Sequence, residues 1–409
     1  SYMKVMQIGG TLTGAQKDIE LSIHSYLDSK GIDNRILYAI GDDYDDAAIV
    51  RYETKIESYA RRFCWKYLGH DDIYAYRQTQ RIIKMIDEFK PDVVHLHTIH
   101  HGMVHFASLM NYLNTNKIKI VYTLHDFWPV TGGCYHYSAL HCDNYLRDCS
   151  HCPSIENEFD CRRSATQKKL LKKKQIFSLA CDITFVGVSQ WVQNEAKRAL
   201  GNGYDVQMIY NAVKPIDEIE VENYKNSPVV GDLIRFAKKR PIVVGVAASW
   251  TEKKGIYDFL KLSRLLGNDY CIVLVGGATE RIKNQAPENM CFLGYISNRA
   301  LLWQIYRHCD VYVSMSKEET FGMTFVEAAL NGLYSVSYKS TAIPEILSKL
   351  HGTAVNELLP DKIASAVVKS IEQGKRLPEC EIKEIDQLFS QRKMAGEYLK
   401  IYRELTDSQ

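Results

Sequence analysis

The sequence predicts an α/β protein built from two doubly wound, Rossmann-like halves. Short runs of β-branched and apolar residues alternate with longer segments of helical periodicity along most of the 409 residues, and this alternation is typical of βαβ units and parallel sheets. The alternation stops near residue 211 and restarts near residue 241. Because a chain of 409 residues exceeds one ordinary hydrophobic core, we expect two domains.

Six strands are predicted in the first half and five in the second. They are, in order, Lys4–Gly9, Asn34–Tyr38, Val93–His97, Lys119–Leu124, Ile183–Val188 and Val206–Tyr210, then Pro241–Ala247, Cys271–Val275, Met290–Leu293, Asp310–Met315 and Tyr334–Tyr338. The polar stretch from Asn211 to about Arg240 has little apolar periodicity, so we expect the linker and the entry to the second domain there. The closing segment Phe389–Leu405 has apolar residues at three- to four-residue spacing and predicts a final helix.

Composition narrows the functional class. Hydrophobic residues make up 46% and charged residues 24% of the chain, as in globular proteins. A net charge of +2 argues against general nucleic-acid binding. No apolar run approaches the ~18 residues of a transmembrane helix. The first residues resemble a strand rather than a signal peptide, and we therefore expect a cytoplasmic protein whose eleven cysteines are mostly thiols.

Two glutamates stand seven residues apart after the apolar run that ends at Met315. The segment Glu319-Thr-Phe-Gly-Met-Thr-Phe-Val-Glu327 places Glu319 on a loop at the carboxyl end of a strand and Glu327 about two turns into a helix beginning at Met323. Ligands bind at this edge of open α/β sheets, where N–H groups at a helix start can hold a phosphate or a sugar oxygen. Carboxylates there suit sugar or ribose hydroxyls, because they accept hydrogen bonds.

This segment resembles the Glu-x7-Glu motif of retaining glycosyltransferases of family 4, which have the GT-B fold. The resemblance implies two Rossmann-like domains facing a central cleft, with a C-terminal helix that crosses back to the N-terminal domain. We therefore expect an acceptor domain over residues 1–212 with the returning helix 388–409, and a donor domain over residues 213–387. The resemblance also implies that Glu319 accepts hydrogen bonds from the transferred sugar and that Glu327 binds the ribose. The backbone around Phe321, Gly322 and Met323 is implied to hold sugar or phosphate.

A lysine-glycine pair follows the first predicted strand of the second half. Lys254 supplies a charge and Gly255 allows close backbone approach, both useful for a diphosphate. The pair resembles the family's Glu-Lys-Gly loop, which implies that Lys254 contacts the donor pyrophosphate. Where the family usually has an arginine, this chain has Ala248, and Lys253 is a candidate for the second charge. The resemblance places the nucleobase against backbone around Ile296.

The first half offers a glycine loop and a histidine. Gly14 lies in the loop after the first strand, where the family's glycine loop approaches the diphosphate and sugar. His125 ends a predicted strand, and the family match implies that it hydrogen-bonds the transferred sugar and stabilises charge at the reacting carbon. We expect Asp126 to orient that imidazole. No residue can be assigned from the sequence as a covalent nucleophile. The family resemblance favours a front-face mechanism. No Asp-x-Asp segment stands out as a metal site, so we expect no catalytic divalent cation.

A cysteine-rich insertion over about residues 130–161 follows His125. Cys149 and Cys152 have chelating spacing, and Cys134 and Cys142 would complete a tetrahedral structural zinc site. We expect something to hold this segment, because it shows no periodicity of its own. Disulfides and ordinary thiols stay open as alternatives. Three histidines are alternative metal ligands: His136, His141 and His151.

The segment around His125 resembles a family 4 subgroup from exopolysaccharide and capsule clusters with a similar insertion. Such enzymes usually act on lipid-linked acceptors at the inner leaflet. The basic run Arg162–Lys174 is either a solvated helix face, a contact to anionic lipid headgroups through its charges and apolar residues, or a phosphate-attracting surface.

The leading hypothesis is a retaining glycosyltransferase that moves a sugar from a UDP or GDP sugar to a saccharide or lipid-linked acceptor. The alternatives are an acceptor-independent epimerase or hydrolase of the same fold, and a non-catalytic binding protein.

Overall fold

The computed structural model describes residues 3–68, 75–153, 166–180 and 182–407, which form two compact units. Unit 1 contains residues 1–211 together with 391–409, and unit 2 contains residues 212–390. Each unit is a parallel sheet covered by helices. The predicted α/β class with two Rossmann-like domains is therefore confirmed.

The elements alternate along the chain as the sequence predicts. Unit 1 comprises β1 (Lys4–Ile8), β2 (Thr11–Leu12), α1 (Gly14–Ser29), β3 (Asp33–Tyr38), β4 (Ile40–Gly41), β5 (Ile49–Arg51), α2 (Lys55–Leu68), α3 (Tyr76–Phe89), β6 (Val93–Leu96), α4 (Phe106–Thr115), β7 (Lys119–Leu124), α5 (Thr166–Ser178), β8 (Ile183–Gly187), α6 (Gln190–Leu200) and β9 (Asp205–Met208). Unit 2 comprises α7 (Glu218–Glu222), α8 (Pro228–Ala237), β10 (Ile242–Ser249), α9 (Ile256–Leu266), β11 (Cys271–Gly277), α10 (Glu280–Lys283), β12 (Met290–Gly294), α11 (Arg299–Arg307), β13 (Val311–Ser314), α12 (Met323–Leu330), β14 (Tyr334–Tyr338), α13 (Ile343–Lys349), β15 (Thr353–Val355), α14 (Pro360–Glu372) and α15 (Glu379–Leu388). The last helix, α16 (Gln391–Asp407), returns to unit 1.

Both sheets reverse their winding at one point. In unit 1 the strand order is β5-β3-β1-β6-β7-β8-β9, so the chain winds one way from β1 and the other way from β6. In unit 2 the order is β12-β11-β10-β13-β14-β15, with the reversal between β10 and β13. Such a switch point opens a crevice at the carboxyl ends of the two strands, where ligands bind in this class of fold.

Helix α16 packs against α1, β6 and β7 of unit 1. It buries an apolar and aromatic face that includes Met394, Leu399 and Ile401. Two of its tyrosines also bond into the sheet: the hydroxyl of Tyr398 lies 2.8 Å from Thr123 Oγ1, and that of Tyr402 lies 2.6 Å from Nδ1 of His95. The closing helix is therefore part of the core of unit 1.

The stretch expected to contain the linker and the entry to the second half includes helical structure. Two helices lie within it, α7 and α8, and α8 buries Val230, Leu233 and Ala237. Its N-terminus is capped by Ser227, whose hydroxyl accepts from the amide of Val230. The sequence does contain apolar residues at helical spacing here, but the surrounding polar residues made the pattern hard to recognise.

Candidate functional site

Two loops of unit 2 meet at its switch point. The loop after β10 carries Lys254 and the loop after β13 carries Glu319, and these strands are neighbours in the sheet. The ammonium of Lys254 lies 2.5 Å from Glu319 Oε1. Both side chains remain partly exposed, so the pair is accessible to a ligand.

Backbone geometry accounts for Gly255, which begins α9. Its φ of +77° lies in the left-handed region, and a Cβ there would stand 2.3 Å from the carbonyl oxygen of Met315 at the end of the neighbouring strand. Any other residue at this position would have both a strained backbone conformation and a clash between its Cβ and that carbonyl oxygen. A backbone hydrogen bond also joins the two loops, because the amide of Lys317 donates to the carbonyl of Lys253.

The Glu319 loop is fixed by hydrogen bonds to the loop after β14. The amide of Glu319 donates to Thr341 Oγ1 at 2.9 Å, and that hydroxyl lies 2.8 Å from the carbonyl of Glu319. Phe321 is buried and packs edge-on against Phe389. Gly322, with φ of +89°, then turns the chain into α12, so the first amides of Met323 and its successors lie close to Glu319 in sequence.

Glu327 lies just over one turn into α12, rather than two. Its carboxylate is 3.4 Å from Nη2 of Arg299 at the start of α11, and that guanidinium nitrogen also donates to the carbonyl of Lys214. Arg299 was missed from the sequence. The signal that would have found it is weak, because one arginine at a helix start resembles any solvated residue.

The remaining predicted donor residues surround these groups. Lys253 is half-buried in the Lys254 loop, and Ile296 is half-buried in the loop between β12 and α11. Ala248 is exposed at the end of β10. The arrangement therefore offers an ammonium, two carboxylates and the amides at the starts of α9 and α12, a set suited to a diphosphate with hydroxyl-bearing groups on either side.

In unit 1, Gly14 is the first residue of α1 and has φ of +57°. A Cβ there would meet nothing within 4 Å, so conformation rather than crowding favours glycine. Gly9 and Gly10 begin the loop, and a Cβ on Gly9 would stand 2.6 Å from a carboxylate oxygen of Glu20. Glu20 is fully buried, and burial raises its pKa to about 8.

His125 follows β7, and its Nε2 lies 3.1 Å from Nδ1 of His97. Burial lowers the pKa of His125 to about 4 and holds the pKa of His97 well below its usual value. Asp126 accepts from the amide of Trp128, and its other oxygen lies 3.2 Å from Nε2 of His100. Sequence reasoning missed His97 as a partner of His125.

The predicted structural zinc site is not supported. Among the residues that the structure describes, no three His, Cys, Asp or Glu side chains gather as metal ligands. Cys134 and Cys149 are buried, Cys142 and Cys152 are partly exposed, and none of the four forms a disulfide. Burial raises the pKa of the Cys149 thiol, a hydrogen bond from the backbone of Gly132 lowers it, and the neighbouring thiols of Cys152 and Cys142 raise it. Cys161 lies outside the described residues.

Aromatic packing and a carboxylate hold this insertion instead. Tyr137 packs against Phe127 and Tyr145, with ring centroids 4.9 and 4.4 Å apart. Both tyrosine hydroxyls donate to Oε2 of Glu195 on α6, at 2.6 and 3.0 Å. Lys173 of α5 is buried and donates to the carbonyl of Trp128. The described part of the insertion is therefore held by aromatic packing and by hydrogen bonds to α6.

Of the four large apolar residues of the basic helix α5, Leu171 alone is exposed, to 56%. Leu170, Ile176 and Phe177 are buried, and Phe177 packs against the aromatic rings of the core. Lys168 and Lys172 are exposed, while Arg162 lies outside the described residues. No helix within the described part of the chain is long and apolar enough to cross a membrane.

The fold and the charged loops at its switch point define a GT-B glycosyltransferase. Two family models match the chain: Glycosyltransferase Family 4 over residues 21–217 and Glycosyl transferases group 1 over residues 234–383. The chain belongs to this family.

Similar proteins agree with that assignment. The putative colanic acid biosynthesis glycosyl transferase WcaC of Escherichia coli K12 is 21% identical over 380 residues, which cover 87% of this chain and 88% of that protein. Sucrose-phosphate synthase from Thermosynechococcus elongatus has a TM-score of 0.69 at 13% identity over all of both chains. The Anabaena HepE structure, in complex with UDP and glucose, has a TM-score of 0.63 at 16% identity, also over all of both chains. At these identities the solved structures show a shared fold.

Proposed function

We propose that this protein is a retaining glycosyltransferase that moves a hexose from a UDP or GDP sugar to a saccharide or lipid-linked saccharide. The observation that carries the proposal is the Lys254–Glu319 contact at the switch point of unit 2. A cation paired with a carboxylate on two loops can exchange partners when a diphosphate sugar arrives. The ammonium then binds phosphate oxygens, and the carboxylate accepts sugar hydroxyls.

The family resemblance supplies the other donor contacts of this proposal. Glu327, held by Arg299, accepts from the ribose hydroxyls, and the backbone around Ile296 contacts the base. The amides that begin α12 at Met323 stabilise negative charge on the sugar or phosphate. We assign Gly14 to the diphosphate and sugar, on the family resemblance.

Catalysis in this proposal depends on stabilising the leaving nucleotide diphosphate. Lys254 and the helix N-terminal amides are aimed at the charge that develops as the glycosidic bond breaks. His125 hydrogen-bonds the transferred sugar, as the resemblance implies. The acceptor attacks from the face that the leaving group vacates, so no covalent intermediate forms and the anomeric configuration is retained.

The biological setting is proposed from the relatives. WcaC is named for colanic acid biosynthesis, and a second relative, 23% identical over 282 residues, is encoded in the cps region of Klebsiella pneumoniae. We propose a role in bacterial surface polysaccharide synthesis, on the cytoplasmic side of the membrane where nucleotide sugars and lipid-linked acceptors meet.

Helix α2 is a better candidate than α5 for contact with that membrane. Its outer face exposes Ile56, Tyr59 and Phe63 to 81%, 73% and 61%. The side that faces the protein is charged: Arg61 is buried and bonds Glu53 at 2.7 Å. Among the side chains that the structure describes in α2, over residues 55–64, the large apolar ones are therefore exposed while Arg61 forms a buried ion pair, the reverse of a usual surface helix.

Cations flank this apolar face. A cavity of about 200 Å³ beside α2 is lined by Arg51, Lys55 and Arg62, among others. Apolar side chains flanked by cations suit an interface with anionic phospholipids. We propose that this surface, defined by Ile56, Tyr59, Phe63, Lys55 and Arg62, rests on an anionic bilayer.

The anomeric outcome tests the reaction. The protein is incubated with an α-linked UDP or GDP sugar that binds it, and proton NMR records the first sugar product, whether transferred or released to water. Retention predicts the α configuration in that first product. An initial β product would contradict the front-face proposal, and an epimerised nucleotide sugar would favour the epimerase alternative.

A further inference from the structure

We propose that Gln7 and His97 are positioning residues that hold His125 in one tautomer, with its proton on Nε2. The inference rests on the proposed function for its catalytic meaning, but the tautomer itself is independent of any substrate. The two residues lie on β1 and just after β6, and His125 follows β7. These three strands are consecutive neighbours in the sheet.

The orientation of the relay is set at a main-chain carbonyl. The side-chain Nε2 of Gln7 donates to the carbonyl oxygen of Glu20 at 3.1 Å. A carbonyl oxygen only accepts hydrogen bonds, so the side-chain amide of Gln7 must have its nitrogen toward Glu20. The flipped orientation of this amide is therefore excluded. Oε1 of Gln7 therefore points the other way, toward His97.

That amide oxygen fixes the proton of His97. Oε1 of Gln7 lies 3.1 Å from Nε2 of His97, and since an amide oxygen accepts, Nε2 must carry hydrogen. His97 is fully buried, and burial keeps the ring neutral by holding its pKa well below the usual value. A neutral imidazole with a proton on Nε2 has its lone pair on Nδ1.

The lone pair of His97 in turn fixes His125. Nδ1 of His97 lies 3.1 Å from Nε2 of His125, so that nitrogen of His125 is the donor. The two rings are nearly parallel, with centroids 5.4 Å apart and planes at 22°. His125 is thereby oriented, and its neutral form has the proton on Nε2 and the lone pair on Nδ1.

Neighbouring groups keep the relay rigid and neutral. His95 stacks on His97 with ring centroids 4.0 Å apart, and its own nitrogens bond Tyr402 and Thr123. His95 and His125 both lower the pKa of His97 electrostatically, and His125 also lowers the pKa of His100. A second charge in this group is therefore unfavourable.

The tautomer decides what His125 can do. With Nε2 committed as donor to His97, the ring can accept a hydrogen bond or a proton from a hydroxyl only at Nδ1. The relay makes His125 an acceptor toward sugar hydroxyls, and it prevents the ring from turning over to present a donor instead.

The first test is nitrogen NMR of the full chain labelled with ¹⁵N-histidine and measured without substrate. His125→Gln identifies the His125 signals, and His97→Asn and His97→Leu probe the relay. An asparagine amide can still supply an acceptor near the position of Nδ1, whereas leucine cannot. We expect the Nε2–H tautomer of His125 in the wild type and in His97→Asn, and a mixture of tautomers in His97→Leu.

The second test is the rate at which nucleoside diphosphate is released from UDP-glucose or GDP-mannose, whichever the protein turns over. His97→Leu should lower kcat by at least about tenfold, since a correctly positioned acid-base group contributes about 10²–10⁴-fold and a misoriented one loses part of that contribution. Its KM for the donor should stay within about threefold, because the main donor contacts are in unit 2. His97→Asn should recover most of the rate.

Each outcome decides the inference. An Nδ1–H tautomer of His125 in the wild type would overturn the relay, and so would an unchanged tautomer in a folded His97→Leu variant. If His97→Leu does not fold, the Gln7→Leu variant takes its place in both tests, because it removes the acceptor for Nε2 of His97. Full activity in a variant with mixed tautomers would exclude the positioning role. Absence of turnover in the wild type would instead count against the proposed function, leaving the tautomer result as measured.

Discussion

The ammonium of Lys254 and the carboxylate of Glu319 lie 2.5 Å apart, although 65 residues separate them in sequence. Each follows a different strand, and the two strands are neighbours where the sheet of unit 2 reverses its winding. A partly exposed ion pair of this kind contributes little to stability, on the order of 0–1 kcal/mol. Its position at a ligand-binding edge is better explained by donor binding than by folding.

Replacement of Glu319 by glutamine should therefore separate activity from stability. Glu319→Gln keeps the side-chain volume but loses the charge that accepts sugar hydroxyls and balances Lys254. We expect kcat/KM to fall by roughly 10²–10³, the cost of removing one preorganised polar contact, with a melting temperature close to that of the wild type. Glu288→Gln, at an exposed position of the same unit, should change neither. A Glu319→Gln enzyme with normal turnover would refute the assignment.

Gly255 should be sensitive to a single methyl group, and Gly374, just beyond the end of α14, supplies a matched control. Both have φ in the left-handed region, +77° and +57°, but a Cβ would meet the Met315 carbonyl at 2.3 Å at Gly255 and nothing within 4 Å at Gly374. Both alanine variants should lose about 1–2 kcal/mol from backbone strain, and Gly255→Ala a further 1–3 kcal/mol, roughly, from overpacking. Urea unfolding measures the difference. Equal losses of unfolding free energy in the two variants would show that the close approach to the Met315 carbonyl does not affect stability.

Glu20 should make stability depend on pH in a predictable direction. Its pKa is 4.5 in the unfolded reference and about 8 when buried, so between these values the folded state holds a proton that the unfolded state has lost. Stability contributed by this group therefore falls as pH rises through that window, by at most about 1.4 kcal/mol per pH unit. Glu20→Gln removes the effect. The free energy of unfolding of the variant, relative to wild type, should rise from pH 5 to pH 8, while Glu88→Gln should show no such trend.

The insertion should depend on Glu195 rather than on a metal. Glu195→Ala leaves the hydroxyls of the buried residues Tyr137 and Tyr145 without this acceptor. We expect a loss of about 1–3 kcal/mol, the cost of an unsatisfied buried polar group. Dialysis against a strong chelator should leave the melting temperature of the wild type unchanged. A large drop after chelation, with zinc found in the untreated protein, would restore the metal hypothesis.

Membrane contact through α2 can be tested with vesicles. The wild type should sediment with vesicles of equal parts phosphatidylcholine and phosphatidylglycerol, and much less with phosphatidylcholine alone. Ile56→Ser with Phe63→Ser should weaken binding at least roughly tenfold, because each lost side chain forfeits about 1.5–3 kcal/mol of burial. Ile219→Ser with Tyr295→Ser, which removes comparably exposed apolar residues from unit 2, is the control. Equal loss in both variants would contradict the proposed surface.

Local patterns in the sequence predict much of this fold. All eleven predicted strands are present within a few residues, and the helix expected from Met323 to Leu330 has those bounds. Each of these elements has an apolar run whose period reflects its own backbone. The short edge strands β5 and β15 were missed, since three residues give no period.

The candidate site could be predicted less completely from the sequence than the fold. Glu319 and Lys254 were identified by motif, but their contact depends on which strands become neighbours. Arg299 and His97 act through partners 28 residues away, and no local pattern marks them. The cysteine spacing suggested a metal because chelation also has a local pattern, whereas the aromatic packing that holds the insertion involves α6, 50 or more residues further along.

Donor binding by Lys254 is the central claim, and calorimetric titration tests it most directly. UDP-glucose, GDP-mannose and other UDP and GDP sugars would be titrated into the wild type and into Lys254→Ala. We predict that sugars of one nucleotide bind the wild type and that Lys254→Ala binds them at least tenfold more weakly, since a charged hydrogen bond contributes roughly 1.5–3 kcal/mol. Equal affinity in the two proteins, or no binding of any nucleotide sugar to the wild type, would contradict the account.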